Sequence, residues 1–79
     1  MIIKPTANAI AVTTANAVAN STLVRIHASS AIIVTIKSGD DFVGSFPMSA
    51  NSTEIVEKGA LDTITCSVEA NCTPVAYKA

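Results

Sequence analysis

Apolar and polar residues alternate over most of this chain, and the alternation breaks at short clusters of Ser, Gly, Asn and Asp. A repeat of two is the period of an extended strand, whose successive side chains point to opposite faces. Thr22 to Ala28, TLVRIHA, places Val24, Ile26 and Ala28 on one face and Leu23, Arg25 and His27 on the other. From Ala31 to Lys37, Ile32, Val34 and Ile36 share a face opposite Ile33, Thr35 and Lys37. Only Ser29 and Ser30 separate these runs, which predicts a tight hairpin. Ser38-Gly39-Asp40-Asp41 reads as a turn whose Gly is free to take positive φ. Phe42 to Met48 resumes the extension with Phe42, Gly44, Phe46 and Met48 on one side, and predicts that both Phe rings face the core. Gly44 within a strand signals a bulge or a close backbone approach, and Pro47 signals an edge or a strand end.

Ser49-Ala50-Asn51-Ser52 forms the next turn signal, followed by a strand from Thr53 to Lys58 with Ile55 and Val56 on opposite faces. Gly59-Ala60 interrupts, and Leu61 to Val68 aligns Ile64, Cys66 and Val68. Glu69-Ala70-Asn71 then turns the chain into a last strand, Cys72 to Lys78, where Pro74 again predicts an edge. The stretch Ala31 to Thr65 is the heart of this arrangement.

Ahead of it, Thr6-Ala7-Asn8-Ala9-Ile10-Ala11-Val12 is echoed by Thr14-Ala15-Asn16-Ala17-Val18-Ala19-Asn20. An Ala-rich run also suits a helix, but Thr13-Thr14, the Asn residues and the β-branched residues favour extended chain. Residues 1–20 therefore read as an extended N-terminal arm or first strand, and residues 21–79 as the domain proper. The expected fold is all-β: a small antiparallel β-sandwich, Ig-like or jelly-roll-like, of about seven short strands at roughly 8–12-residue spacing.

Composition changes this picture in one respect. Apolar residues make up 49% of the 79 residues, much of it Ala, and charged residues only 14%, against roughly 25% in an average soluble domain. A domain this small buries only about 60% of its unfolded surface and gains from a partner. An Ala/Thr/Ser/Asn-rich surface with so few charges reads as one to be covered by other chains, including copies of itself. A net charge of −1 with no basic stripe gives no footprint for nucleic acid. No run approaches the ~20 apolar residues of a membrane helix, and the start lacks the apolar core of a signal peptide, so no membrane partner is expected and synthesis is expected in the cytoplasm.

Chemistry is sparse. His27, the single histidine, has no Asp or second His at a useful spacing and reads as a surface or interface residue. Asp40-Asp41 suits a turn better than a Ca²⁺ site, which needs more oxygen ligands. Glu54, Glu57 and Asp62 are split between faces and make no carboxylate pair. No enzyme activity, cofactor or metal is expected. Cys66 and Cys72 would oppose each other if Val68-Glu69-Ala70 closed a hairpin, which makes them candidates for a disulfide; in a reducing cytosol they would stay thiols. The triplets beginning at Asn20, Asn51 and Asn71 match the glycosylation pattern but, with no secretion signal, read better as turn residues.

Three stretches carry a resemblance: Leu23-Val24-Arg25-Ile26, then Glu57-Lys58 with Asp62-Thr63-Ile64, then Thr73-Pro74-Val75-Ala76-Tyr77. Over roughly residues 20–79 the chain resembles the small all-β structural proteins of tailed-bacteriophage virions, especially cyanophage-like ones. Ser38 to Asn51 departs most from that pattern. The resemblance implies a many-copy virion component: a capsid decoration (cement) protein on the major capsid protein, or a tail, fibre or neck subunit. A free-standing adhesion or carbohydrate-binding sandwich is the alternative. Under the virion reading, Ala7, Ala9, Ala11, Ala15, Ala17, Ala19, Pro74 and Tyr77 are the expected assembly contacts.

Overall fold

The computed structural model describes residues 2–78, and the side chains of residues 3–76. Among them the regular elements are eight strands with no helix: β1 (Ile2–Pro5), β2 (Ile10–Val12), β3 (Leu23–Ala28), β4 (Ile32–Ser38), β5 (Asp41–Met48), β6 (Ser52–Glu57), β7 (Thr63–Cys66) and β8 (Ala70–Lys78). They form two antiparallel sheets, a larger one in the order β1-β8-β3-β6 with β2 also on β8, and a smaller one in the order β5-β4-β7. The fold is a small β-sandwich.

The alternation of the sequence decides which side of each strand is buried. Val24, Ile26 and Ala28 of β3 meet Ile32, Val34 and Ile36 of β4 across the interior, joined by Ile64 and Cys66 of β7 and Cys72 of β8. Each fully buried Val or Ile contributes about 1.5–3 kcal/mol relative to exposure. Covering a sheet face is what orders strands this short, because the same residues in an isolated hairpin would be marginal.

Period two identifies the face of a strand but not its neighbour, and here the expected pairings are corrected. β3 and β4 do not form a hairpin. β3 pairs with β6 and β8, whereas β4 pairs with β5 and β7, so Ser29-Ser30 carries the chain from one sheet to the other. Two strands that are apolar on one face each bury more by facing one another than by lying side by side. Among the described residues the only hairpin of adjacent strands is β4–β5, whose turn includes Gly39 at φ +63, the left-handed conformation the turn signal implied.

β5 bears out the bulge and overturns the placement of Phe42. Ile36 pairs with Gly44 but Lys37 pairs with Phe42, leaving Val43 as the extra residue. The extra residue reverses parity beyond it. Phe46 packs against the core and Met48 is buried, while Phe42 turns outward beside exposed Lys37. β5 lies at the edge of its sheet, as Pro47 requires.

Pro74 corrects a second expectation, since β8 is not an edge: it has β3 on one side and β1 and β2 on the other. The strand accommodates a residue without an N–H because its neighbour changes at that point. β1 leaves β8 at Val75 and β2 joins it at Cys72, so Pro74 falls between the two ladders. Its carbonyl still accepts the Thr6 N–H at 2.9 Å.

Residues 2–20 contribute two strands and two core side chains to the sandwich. β1 and β2 pair with β8, Val12 and Val18 are in the core, and Asn16 forms an isolated bridge to Ile64 with N···O distances of 2.9 and 3.1 Å. Thr13 adds a bond to the Cys66 N–H at 3.2 Å, so the segment covers the free edge of β7. The end of the sequence echo then departs from extension. Val18, Ala19 and Asn20 all have φ between 50 and 56, a single left-handed turn in which the Val18 N–H donates to Asn16 Oδ1 at 2.8 Å and Ser21 N–H to the Val18 carbonyl at 3.2 Å.

Candidate functional site

Three places in the sandwich hold groups able to bind or react. The first is the outer face of the smaller sheet. Register puts Ile33 beside Pro47, Thr35 between Ser45 and Thr65, and Lys37 between Phe42 and Thr63. Ile33 is 55% exposed, Phe42 65% and Val43 58%. These residues present an apolar and hydroxyl surface with Lys37 as its single charge. Sequence parity found Ile33 and Thr35 on this face, but Phe42 was assigned to the core, and only the bulge beside Gly44 signalled otherwise.

The second is the outer face of the larger sheet, where Ile3, Pro5, Arg25, Ile55, Thr73 and Val75 line a shallow trough of about 330 Å³. Its walls are aliphatic, with one permanent cation in Arg25 and one hydroxyl in Thr73. The trough can hold an apolar group beside an anion, and no carboxylate or imidazole is among its lining residues. His27 lies farther along β3, where its Nδ1 is 3.0 Å from Thr53 Oγ1 on β6. Among the described residues no three His, Cys, Asp or Glu side chains are grouped to hold a metal ion.

The third place is internal. Cys66 and Cys72 are both buried and unbonded. They do not oppose one another across a hairpin, because β7 pairs with β4 while β8 pairs with β3. They approach across the sandwich instead, one thiol from each sheet, and hydrogen-bond each other. The hydrogen bond with Cys72 draws the Cys66 thiol below its ordinary value. The same hydrogen bond, together with burial, pushes Cys72 up.

The expected assembly residues are dispersed. Ala7, Ala9, Ala11, Ala15 and Ala19 are exposed and Ala17 is half-buried, so the Ala-rich surface stands outward while the intervening Val12 and Val18 anchor it. Pro74 is fully buried and is unavailable to a partner. Tyr77 lies in β8 opposite Ile3, with its side chain outside the described residues.

Sheet edges are poor docking sites. The open edge of β5 carries Pro47, which lacks a donor. On the β6 edge, Glu54 sits directly opposite buried Ile26, an inward-pointing charge that discourages another strand from extending the sheet. Compared with family models, curated proteins and solved structures, the chain matches none of them.

Proposed function

We propose that this chain is a non-enzymatic structural protein of a tailed-bacteriophage virion, a capsid decoration protein that lies on the head surface in many copies. The observation that carries the reading is the outer face of the smaller sheet, where Ile33, Phe42 and Val43 are more than half exposed around a single charge. A decoration protein needs a face that gains by being covered and that repeats weak contacts across a lattice, so that many modest interactions add up. The blunted edges of β5 and β6 supply the complementary property, because a many-copy protein must attach without polymerising through its strands. The resemblance of residues 20–79 to small virion proteins points the same way. Its partners are then the major capsid protein and neighbouring copies of itself, its location the virion.

A carbohydrate-binding sandwich would present an aromatic-lined patch. Phe42 is one exposed ring, and Phe46 lies half-buried on the inner side, so the platform is missing its second member among the described side chains.

Purified protein mixed with stripped phage heads tests the proposal by co-sedimentation. Wild-type protein is expected to pellet with heads, and Ile33→Lys and Phe42→Lys are expected to remain folded and stay in the supernatant. Binding to tails but not heads would move the protein to a tail, fibre or neck position. A monomer that binds glycans and neither particle would overturn the virion reading.

A further inference from the structure

We propose that Cys66 and Cys72 are the site of an inter-sheet disulfide, a covalent staple between the two halves of the sandwich. Both thiols are buried in one core cluster. Cys66 lies opposite Val34 on β4, in the smaller sheet. Cys72 lies opposite Ile26 on β3 and Ile10 on β2, in the larger. The chain joining them, residues 67–69, is the crossing from one sheet to the other, so the bond would fasten that crossing from inside. The two thiols are hydrogen-bonded neighbours in that cluster, and a disulfide joins Cα atoms about 4.4–6.8 Å apart.

The chemistry is thiol–disulfide exchange with a small-molecule disulfide as oxidant. The Cys66 thiolate attacks one sulfur of the reagent, forming a mixed disulfide and releasing the other half as a thiolate. Cys72 gives its proton to that thiolate and attacks the Cys66 sulfur, releasing the second half as a thiolate, which takes up from solvent the proton that Cys66 lost on ionising. Two electrons pass from the protein to the reagent: two protein thiols become one disulfide, and the reagent disulfide becomes two thiols. Burial gates access, so the exchange proceeds when the 67–69 crossing opens or before the chain has closed. In the chain-entropy account, closing so short a loop shifts the folding equilibrium by about 50-fold towards the native state.

The test incubates the whole protein with oxidised glutathione, in native buffer and again near the midpoint of its urea transition, where every chain opens repeatedly. The protein is then denatured in alkylating reagent, weighed intact and digested. The expected product has no alkylated Cys, a mass lower by two hydrogens, a peptide linking Cys66 to Cys72 and a higher Tm than the reduced protein. Cys66→Ser and Cys72→Ser are each expected to stop at a glutathione adduct on the remaining thiol. Two alkylatable thiols after incubation at the urea midpoint would overturn the proposal. So would bonds formed only between chains, or an oxidised protein that melts below the reduced one.

Discussion

Lys58 Nζ donates to the Ser21 carbonyl at 2.7 Å, tying the end of β6 to the start of β3 with a charge that is only 7% exposed. The same ammonium reaches the carbonyls of Gly59 at 3.2 Å and Ala60 at 3.4 Å, so its donors serve the turn that carries the chain from one sheet to the other. Burial lowers the Lys58 pKa from its ordinary value, and the Asp62 carboxylate opposes that shift. Removing the amine loses its part-buried, charge-assisted hydrogen bond to the Ser21 carbonyl, which costs about 1.5–3 kcal/mol. Lys58→Met is therefore expected to lower the urea midpoint by an amount in that range, with an unchanged m-value.

The depressed pKa has a defined pH signature. Between the folded-state pKa and the ordinary value of 10.5 the unfolded chain binds more protons at Lys58 than the native one, so stability rises with pH across that window. It is lost again as pH falls through the folded-state value. Wild-type protein is expected to gain stability relative to Lys58→Met as pH is raised from 8 towards 10.5. A difference between the two that stays constant over that range would show that Lys58 is not desolvated.

Val34 is fully buried in the middle of β4, between Phe46 and Cys66. A carboxylate there has neither partner nor water, and an unpaired buried charge costs more than the few kcal/mol by which a domain of this size is stable. Val34→Asp is expected to abolish the cooperative thermal transition, as read by circular dichroism. A soluble variant that still melts cooperatively would mean that the two sheets do not pack as described.

Gly59 and Asp62 close the turn in both directions: the Gly59 N–H donates to Asp62 Oδ2 at 3.0 Å, and the Asp62 N–H to the Gly59 carbonyl at 3.0 Å. A Cβ on Gly59 would stand 2.9 Å from the same Asp62 oxygen. Gly59→Ala is expected to cost about 1 kcal/mol by displacing the carboxylate, and to cost little once Asp62→Ala is present. Gly44, where a Cβ meets nothing within 4 Å, supplies the control: Gly44→Ala is expected to be tolerated.

These positions show where a reading of the sequence stops. The buried faces of β3 and β4 were legible because Val24, Ile26, Ile32 and Val34 obey period two, and period two reports burial directly. The partner of each strand was not, because Ser29-Ser30 suits a hairpin and a crossing alike, and only the packing of two apolar faces chooses between them. Phe42 was misplaced because a single extra residue, Val43, reverses parity. Pro74 was misplaced because the rule that keeps proline at edges has an exception where one neighbouring strand gives way to another. The exposed face of the smaller sheet was half legible, through Ile33 and Thr35. Lys58 carried no signal, since a lysine at a strand end ordinarily belongs to the solvent.

The left-handed turn at Val18, Ala19 and Asn20 offers a gain rather than a loss. An L-residue at φ near +55 costs roughly 1–2 kcal/mol through contact of Cβ with the following carbonyl. Val18 accepts that cost because its side chain is fully buried, and Asn20 is a residue type that tolerates the region. Ala19, at φ +56, is exposed and contributes no core contact. Glycine relieves the strain there and returns part of the gain as unfolded-state entropy. Ala19→Gly is expected to stabilise the protein by about 0.5–1 kcal/mol, raising the urea midpoint without altering the m-value. Val18→Gly is expected to do the opposite, because the same relief is outweighed by about 2 kcal/mol of lost burial. Loss of stability in Ala19→Gly would place residue 19 in the ordinary right-handed or extended region and remove the left-handed turn.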